Sequence, residues 1–252
     1  MRFALLIAAM LPALSCAAEC TARSGSTTAA LVELYTSEGC SSCPPADRWL
    51  SKLGRGGNVV PVAFHVTYWD YIGWRDAFAD ERHTARQRER ASASGARYVY
   101  TPQVTVGGRD FRDWSSKSAF QQAIGRINTT PSRVDLEIRV KPVEGGKLLA
   151  EASATPRPGV ARGNLALVIA ATQDGLSSRV SAGENRGEHL LHDHVVRGFN
   201  ESQAFAATGI ATASATFAAR GDWKPEAMSI AAFVQDLKTG EVLQAVSAPL
   251  CR

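Results

Sequence analysis

The sequence has no phosphate-binding loop, no nucleophile elbow and no zinc-protease helix motif, so it offers none of the usual short signatures of those chemistries. Long hydrophobic runs are also missing. After Phe3 to Leu14, itself too short to span a bilayer, no segment comes close to that length. Charge of one sign is scarce: 28 basic and 24 acidic residues give a formal net charge of +4 spread along the chain, which gives little reason to expect nucleic acid as a partner. Cysteine is sparse, five in all, and there is no second Cys-x-x-Cys with which to build a structural zinc site from two pairs.

What is present fits an ordinary folded protein. The 252 residues are 45% hydrophobic and 21% charged, enough for one large domain or two modest ones with real cores. The start, "MRFALLIAAMLPALSCAAEC", reads as an export signal: Arg2 supplies the positive region, Phe3 to Leu14 the apolar region, and Ser15 to Ala18 the small residues of a cleavage site. A periplasmic or secreted location follows as the expectation. Lipidation of Cys16 is the alternative, although Ala13 stands where a lipobox usually has Leu. Cleavage after Ala17 or Ala18 would leave Cys20, Cys40, Cys43 and Cys251 in an oxidising compartment. Cys40 and Cys43 are local partners, which leaves a Cys20–Cys251 disulfide to tie the ends together. Closing so long a loop is worth about 5 kcal/mol in the chain-entropy picture.

The pattern divides the chain into an export segment (1–18), an α/β domain (27–130) and an all-β antiparallel sandwich (131–252). Strand signals at Ala29–Tyr35, "VVPVAFHV" and "YVYTPQVTVGG" alternate with helix signals at Pro44–Leu53, Asp76–Ala96 and Ser116–Ile127. Pro44 and Pro45 suit a first helical turn, where no N–H donor is needed. Beyond Thr130–Pro131 the signal becomes short strands, among them "VDLEIRVK", "LLAEASA", "NLALVIAAT", "LHDHVVRGF", "TASATFAAR", "MSIAAFVQD" and "EVLQAVSA", with "VEGGK" as a hairpin turn.

The chemistry centres on "LVELYTSEGCSSCPPADRWL", a strand followed by Cys40-Ser-Ser-Cys43 and a helix. With Cys40 at the helix N-terminus, free backbone N–H groups and the helix dipole would favour its thiolate, the attacking species in disulfide exchange. Cys43, one turn along, would resolve the mixed disulfide. Thr101-Pro102 stands directly before the apolar strand "QVTV". The order strand, Cys-x-x-Cys, helix, strand, long helix, Thr-Pro, strand, Gly-Gly turn, helix resembles the thioredoxin fold over Ala29 to Ile127. "ELYTSEGCSSCPPAD", "HVTYWDYIGWRDAFA", "VYTPQ" and "GENRGEHLLHDHVVR" are in turn similar to the exported bacterial family catalogued as domain of unknown function 1223, through nearly the whole mature chain.

The resemblance implies a thioredoxin-like domain in an exported protein. Carried over position by position, it implies catalytic Cys40 and Cys43, a cis Pro102, and a substrate backbone docked at Thr101 and Pro102. Protein thiols or disulfides of the cell envelope would be the partners, with no organic cofactor and no resident metal. Two other readings stay open. The pair is a structural disulfide in a non-catalytic envelope protein with a partner-binding sandwich, or Cys40, Cys43 and His65 handle copper, since thiolates and imidazole suit that metal.

Three further features stand out. Tyr68, Trp69, Tyr71 and Trp74, with Asp70 and Asp76 among them, form either an aromatic wall for extended peptides or a loop packed on its own protein. His192 and His194 would share a face of one strand, with His189 nearby, as exposed polar residues or metal ligands. Glu38 and Asp47 flank the cysteines, but a carboxylate beside a thiolate would also raise its pKa.

Overall fold

The computed structural model describes residues 19–54, 58–144, 147–201, 205–218, 221 and 223–251. The expected export segment with Cys16, and Gly145–Gly146 of the expected hairpin turn, lie outside these residues. The described chain is mostly β, with mixed and antiparallel sheets and few helices. Among the described residues, no helix is long and apolar enough to cross a membrane.

The central strand is β2 (Ala30–Thr36), buried at every position. An apolar run explains most of that burial, and Glu33, the one charge in it, is matched internally. Its carboxylate accepts from Arg86 Nε at 3.1 Å and Nη2 at 2.8 Å and from Thr105 Oγ1 at 3.0 Å. The Arg86 guanidinium in turn lies over the rings of Phe64 and Phe233, at 5.4 and 5.2 Å. Both charges are therefore paired and hydrogen-bonded, as buried charges must be.

Strand β3 (Val59–His65) runs parallel to β2, which requires a crossover, and α1 (Pro44–Leu50) lies in that crossover. On the other side β2 pairs antiparallel with β4 (Gln103–Val106), followed by the short β5 (Arg109–Asp110). Helix α2 (Glu81–Ala93) connects β3 to β4 and begins at Asp80, whose side chain accepts from Arg82 N. The expected helix start at Asp76 is therefore corrected by five residues, to Glu81, because Asp76 is turned inward onto His65. Helix α3 (Lys117–Asn128) closes this part of the chain.

Residues after 130 extend the same sheet. Strand β11 (Val195–Glu201) joins β3 in parallel at Val195–Ala63, with Ala63 N donating to His194 O at 2.8 Å. Beyond it follow β8 (Leu165–Gln173), β13 (Met228–Asp236) and β14 (Val242–Pro249), all antiparallel, which completes an eight-stranded sheet. A four-stranded antiparallel sheet packs on this half: β1 (Cys20–Arg23), β6 (Val134–Val143), β7 (Lys147–Pro156) and β12 (Ala211–Ala218). In β6 the period-two alternation buries Val134, Leu136, Ile138 and Val140, which share a core with Leu167, Ile169, Ile230 and Ala232. Cys20 in β1 is disulfide-bonded to Cys251, across a sequence separation of 231 residues.

The anticipated strand "LHDHVVRGF" is two strands. β10 (His189–His192) pairs only with β9 (Leu176–Arg179), in a hairpin separate from both larger sheets. The break falls at His194, whose φ is +59°, and Asp174 Oδ1 accepts its N–H. His192 and His194 consequently share no face. His192 Nε2 meets Glu38, whereas His194 Nε2 meets Leu53 O.

The turn between β4 and β5 touches the turn between β13 and β14. Val242 N donates to Gly107 O at 3.1 Å, and a Cβ on Gly108 would lie 1.8 Å from Gly240 O. Gly108 also has φ +83°, where a side chain is strained. Gly108→Ala is expected to cost roughly 3 kcal/mol, read from the urea midpoint at unchanged m. A cost within about 0.5 kcal/mol, the range of ordinary surface changes, would contradict this close approach.

Candidate functional site

After β2 the chain turns through Ser37, Glu38 and Gly39 to Cys40, which is disulfide-bonded to Cys43, with Cα atoms 5.4 Å apart. Cys43, not Cys40, is the N-cap of α1, and Pro44 and Pro45 fill the first helical positions without N–H groups. The next donors, Ala46 N and Asp47 N, both go to Cys43 O. The helix end therefore presents few free N–H groups to Cys40, and the expected dipole support is weaker than the sequence suggested. The polar neighbour of the Cys40 sulfur is Ser42 Oγ, at 3.3 Å.

Both cysteines have 0% exposure. The loop between β9 and β10 is bonded to the chain on both sides of Cys40. Asn185 Nδ2 donates to Glu38 O at 2.8 Å and to Cys40 O at 3.0 Å. Beside it, Glu184 Oε2 accepts from Ser41 N at 3.0 Å and Ser41 Oγ at 2.7 Å, and these bonds hold the Glu184 carboxyl below its usual range. The sequence reading assigned no role to either residue. A polar loop between two short strands carried no local signal that it would fold back over residue 40.

Thr101–Pro102 is a cis peptide. Trp69 links it to the cysteine loop: its Nε1 donates to Thr101 Oγ1 at 2.7 Å, and its Cβ lies where a side chain on Gly39 would clash, at 3.0 Å. The aromatic segment is thus largely packed on its own protein. Tyr68 OH donates to Gln87 and Trp74 Nε1 to Glu38 Oε2 at 2.8 Å, while Tyr71 is 81% exposed.

Behind the pair lies a buried set of ionisable groups. His65 Nδ1 and Asp76 Oδ2 are 2.7 Å apart, and Asp76 also accepts from Glu38 N and Phe78 N. His192 Nε2 is 3.2 Å from Glu38 Oε1, and the His65 and His192 rings meet edge to face at 4.9 Å. Thr36 Oγ1 donates to Asp47 Oδ2 at 3.2 Å. Burial pushes the Asp47 carboxyl up, against the opposing pull of His192 and His65. Burial alone would lower His65, yet the Asp76 carboxylate overrides it and raises its pKa. Burial would likewise raise Asp76, but the imidazolium and the hydrogen bonds hold it below its ordinary value. His65 thus turns its Nδ1 to a carboxylate, and both Cys40 and Cys43 are committed to a disulfide. Among the described residues, no three or more His, Cys, Asp or Glu side chains are arranged to hold a metal ion.

Fold and site define a mostly β protein that carries a buried Cys-x-x-Cys disulfide at a strand-to-helix turn. The chain belongs to the family described as Protein of unknown function (DUF1223), whose profile matches residues 31–235. No curated protein matches it. Among solved structures it is similar to protein AGR_C_4864 from Agrobacterium tumefaciens, at 24% identity and a TM-score of 0.61, over 89% of this chain and 94% of that one. It is also similar to HBP35 of Porphyromonas gingivalis, at 15% identity and a TM-score of 0.66, over 90% of this chain and 76% of that one. At these identities the likeness concerns the fold alone.

The directions of the His65 and Asp76 shifts set a pH window. A raised His65 stabilises fully below its unfolded value of 6.5, and that contribution is lost as pH rises through the folded value. A depressed Asp76 stabilises above its unfolded value of 3.8, and its contribution is lost as pH falls through the folded value. The pair therefore contributes most between these limits. Asp76→Asn is expected to lower stability there by about 3 kcal/mol and to flatten the decline above pH 6.5, measured by urea unfolding across pH.

Proposed function

We propose that this protein is an exported thiol–disulfide exchange protein acting on protein thiols or disulfides of the cell envelope. In this reading, residues 27–130 form a thioredoxin-like unit and residues 131–252 a β-sandwich grown onto its sheet. The observation that carries it is the Cys40–Cys43 disulfide at the β2–α1 turn, with Trp69 packed on Gly39 of that turn and bonded to the Thr101 side chain.

Cys40 is the sulfur attacked. A substrate thiolate forms a bond to Cys40 Sγ, the Cys40–Cys43 bond breaks, and Cys43 leaves with the electron pair and takes up a proton. A second substrate thiolate then displaces Cys40, so the substrate is oxidised by two electrons and the pair reduced. An envelope redox partner restores the disulfide, or drives the cycle in reverse. Asp47, one turn beyond Cys43 and with its pKa raised by burial, is suited to exchange the proton. The backbone at Thr101 and Pro102 would receive an extended substrate segment. Neither organic cofactor nor metal enters this chemistry.

A structural disulfide is the second reading, and the complete burial of both cysteines favours it. The reduction potential of Cys40–Cys43, trapped across glutathione and dithiothreitol buffers, separates the two. Exchange predicts a value between about −120 and −270 mV, with Cys40→Ser abolishing disulfide reduction while the fold persists. A value below about −300 mV, with Cys40→Ser losing stability instead, would establish the structural bond.

A further inference from the structure

The groups that grip the cysteine loop come from a distant part of the sequence. Glu184 and Asn185 sit in a loop that starts and ends in the β9–β10 hairpin, and that hairpin forms a two-stranded sheet of its own. The loop is held together largely by its own backbone: Val180 N donates to Glu188 O, Gly187 N to Val180 O, Arg186 N to Gly183 O and Glu188 N to Asn185 O. It can therefore move as a unit without breaking the larger sheets. Its grip on the cysteine loop comes from two side chains, Glu184 on Ser41 and Asn185 on the carbonyls of Glu38 and Cys40. Next to them the cover rests on the aromatic segment through Gly183, with φ +74°, where a Cβ would meet Ile72 Cδ1 at 3.0 Å. Ile72 and Trp74 pack on Gly183 there, and the glycine itself contributes no side chain to the contact. At the hairpin base His192 stays bonded to Glu38, a point about which the loop can swing.

We propose that the loop around Glu184 and Asn185 is a latch that closes the Cys40–Cys43 disulfide to bulky partners, and that reaction with a protein thiol requires it to lift. The proposal rests on the exchange reading for its purpose, though not for its geometry. A groove of about 390 Å³ between α1 and the hairpin, lined by Ser41, Pro45, Arg48, Glu184, His189 and Leu191, already reaches the residue next to Cys40. Lifting the loop would extend that groove to the sulfur, so an extended chain could approach along α1. The two latch side chains thus decide which thiols reach the pair.

The test is the rate at which tris(2-carboxyethyl)phosphine cleaves the Cys40–Cys43 bond in the full chain. The phosphine takes an oxygen from water, becomes the phosphine oxide and leaves both sulfurs as thiols, so even a structural disulfide is reduced and the rate reports access. Reduction is quenched with N-ethylmaleimide and assigned by peptide mass. Glu184→Ala and Asn185→Ala, each of which removes two hydrogen bonds to the cysteine loop, are each expected to speed cleavage about ten-fold. Cleavage of Cys20–Cys251 in the same samples should be unchanged. Rates within two-fold of the parent in Glu184→Ala, an exposed position whose substitution leaves the core intact, would overturn the latch, whatever happens to the fold of Asn185→Ala. Faster cleavage together with an equilibrium potential in the structural range would keep the latch and refute exchange. Unchanged cleavage with an exchange-range potential would do the reverse.

Discussion

The parallel junction between Val59–His65 and Val195–Glu201 is the constraint on which the rest of this structure depends. It makes one eight-stranded sheet from strands that lie on both sides of residue 130. Once Val195 is fixed beside Ala63, the hairpin immediately before it is carried to the cysteine loop. His192 then reaches Glu38, and Asn185 reaches Cys40 O. Without that junction the site would be the seven-residue loop, Ser37 to Cys43, at the end of one strand. With it, residues some 145 positions apart in sequence form a single closed environment.

The same constraint explains why so many ionisable groups can be buried. An isolated buried charge costs several kcal/mol, so each needs a partner held in place by rigid elements. Glu33 has Arg86, Asp76 has His65, and Glu38 has both Trp74 and His192. Glu33–Arg86 and Glu38–His192 join elements 53 and 154 residues apart, whereas Asp76 folds back on His65 from 11 residues away. The burial of the cysteines and that of the charges behind them are consequences of the same packing.

The local grammar of the first half was legible because it is carried by neighbours in sequence. Ala29–Tyr35 differs by one residue at each end from the observed strand, and the helix at Pro44 starts where two prolines allow it. The family was legible from the same motifs. What escaped was long-range. "EHLLHDHVVR" alternates like one strand, but the hydrogen bond from His194 N to Asp174 and a left-handed residue split it, and no pattern within ten residues encodes that partner. Asp76 looked like a helix residue until His65 claimed it. The dipole argument for Cys40 counted a helix N-terminus but not the two N–H groups that its prolines remove. Glu184 and Asn185 stand inside a motif of the family resemblance, but nothing local to them says that their loop folds back onto residue 40.

A shared sheet requires both sides of residue 130 to behave as one body at the cysteine site. Native-state hydrogen exchange in low urea, followed across Val59–His65 and Val195–Asn200, tests this most directly. A shared sheet predicts that amides of both segments, including Ala63, exchange through one opening with the same free energy and the same urea dependence. Separate openings, with the strand at 195 exchanging by a smaller unfolding that leaves the strand at 59 protected, would contradict it.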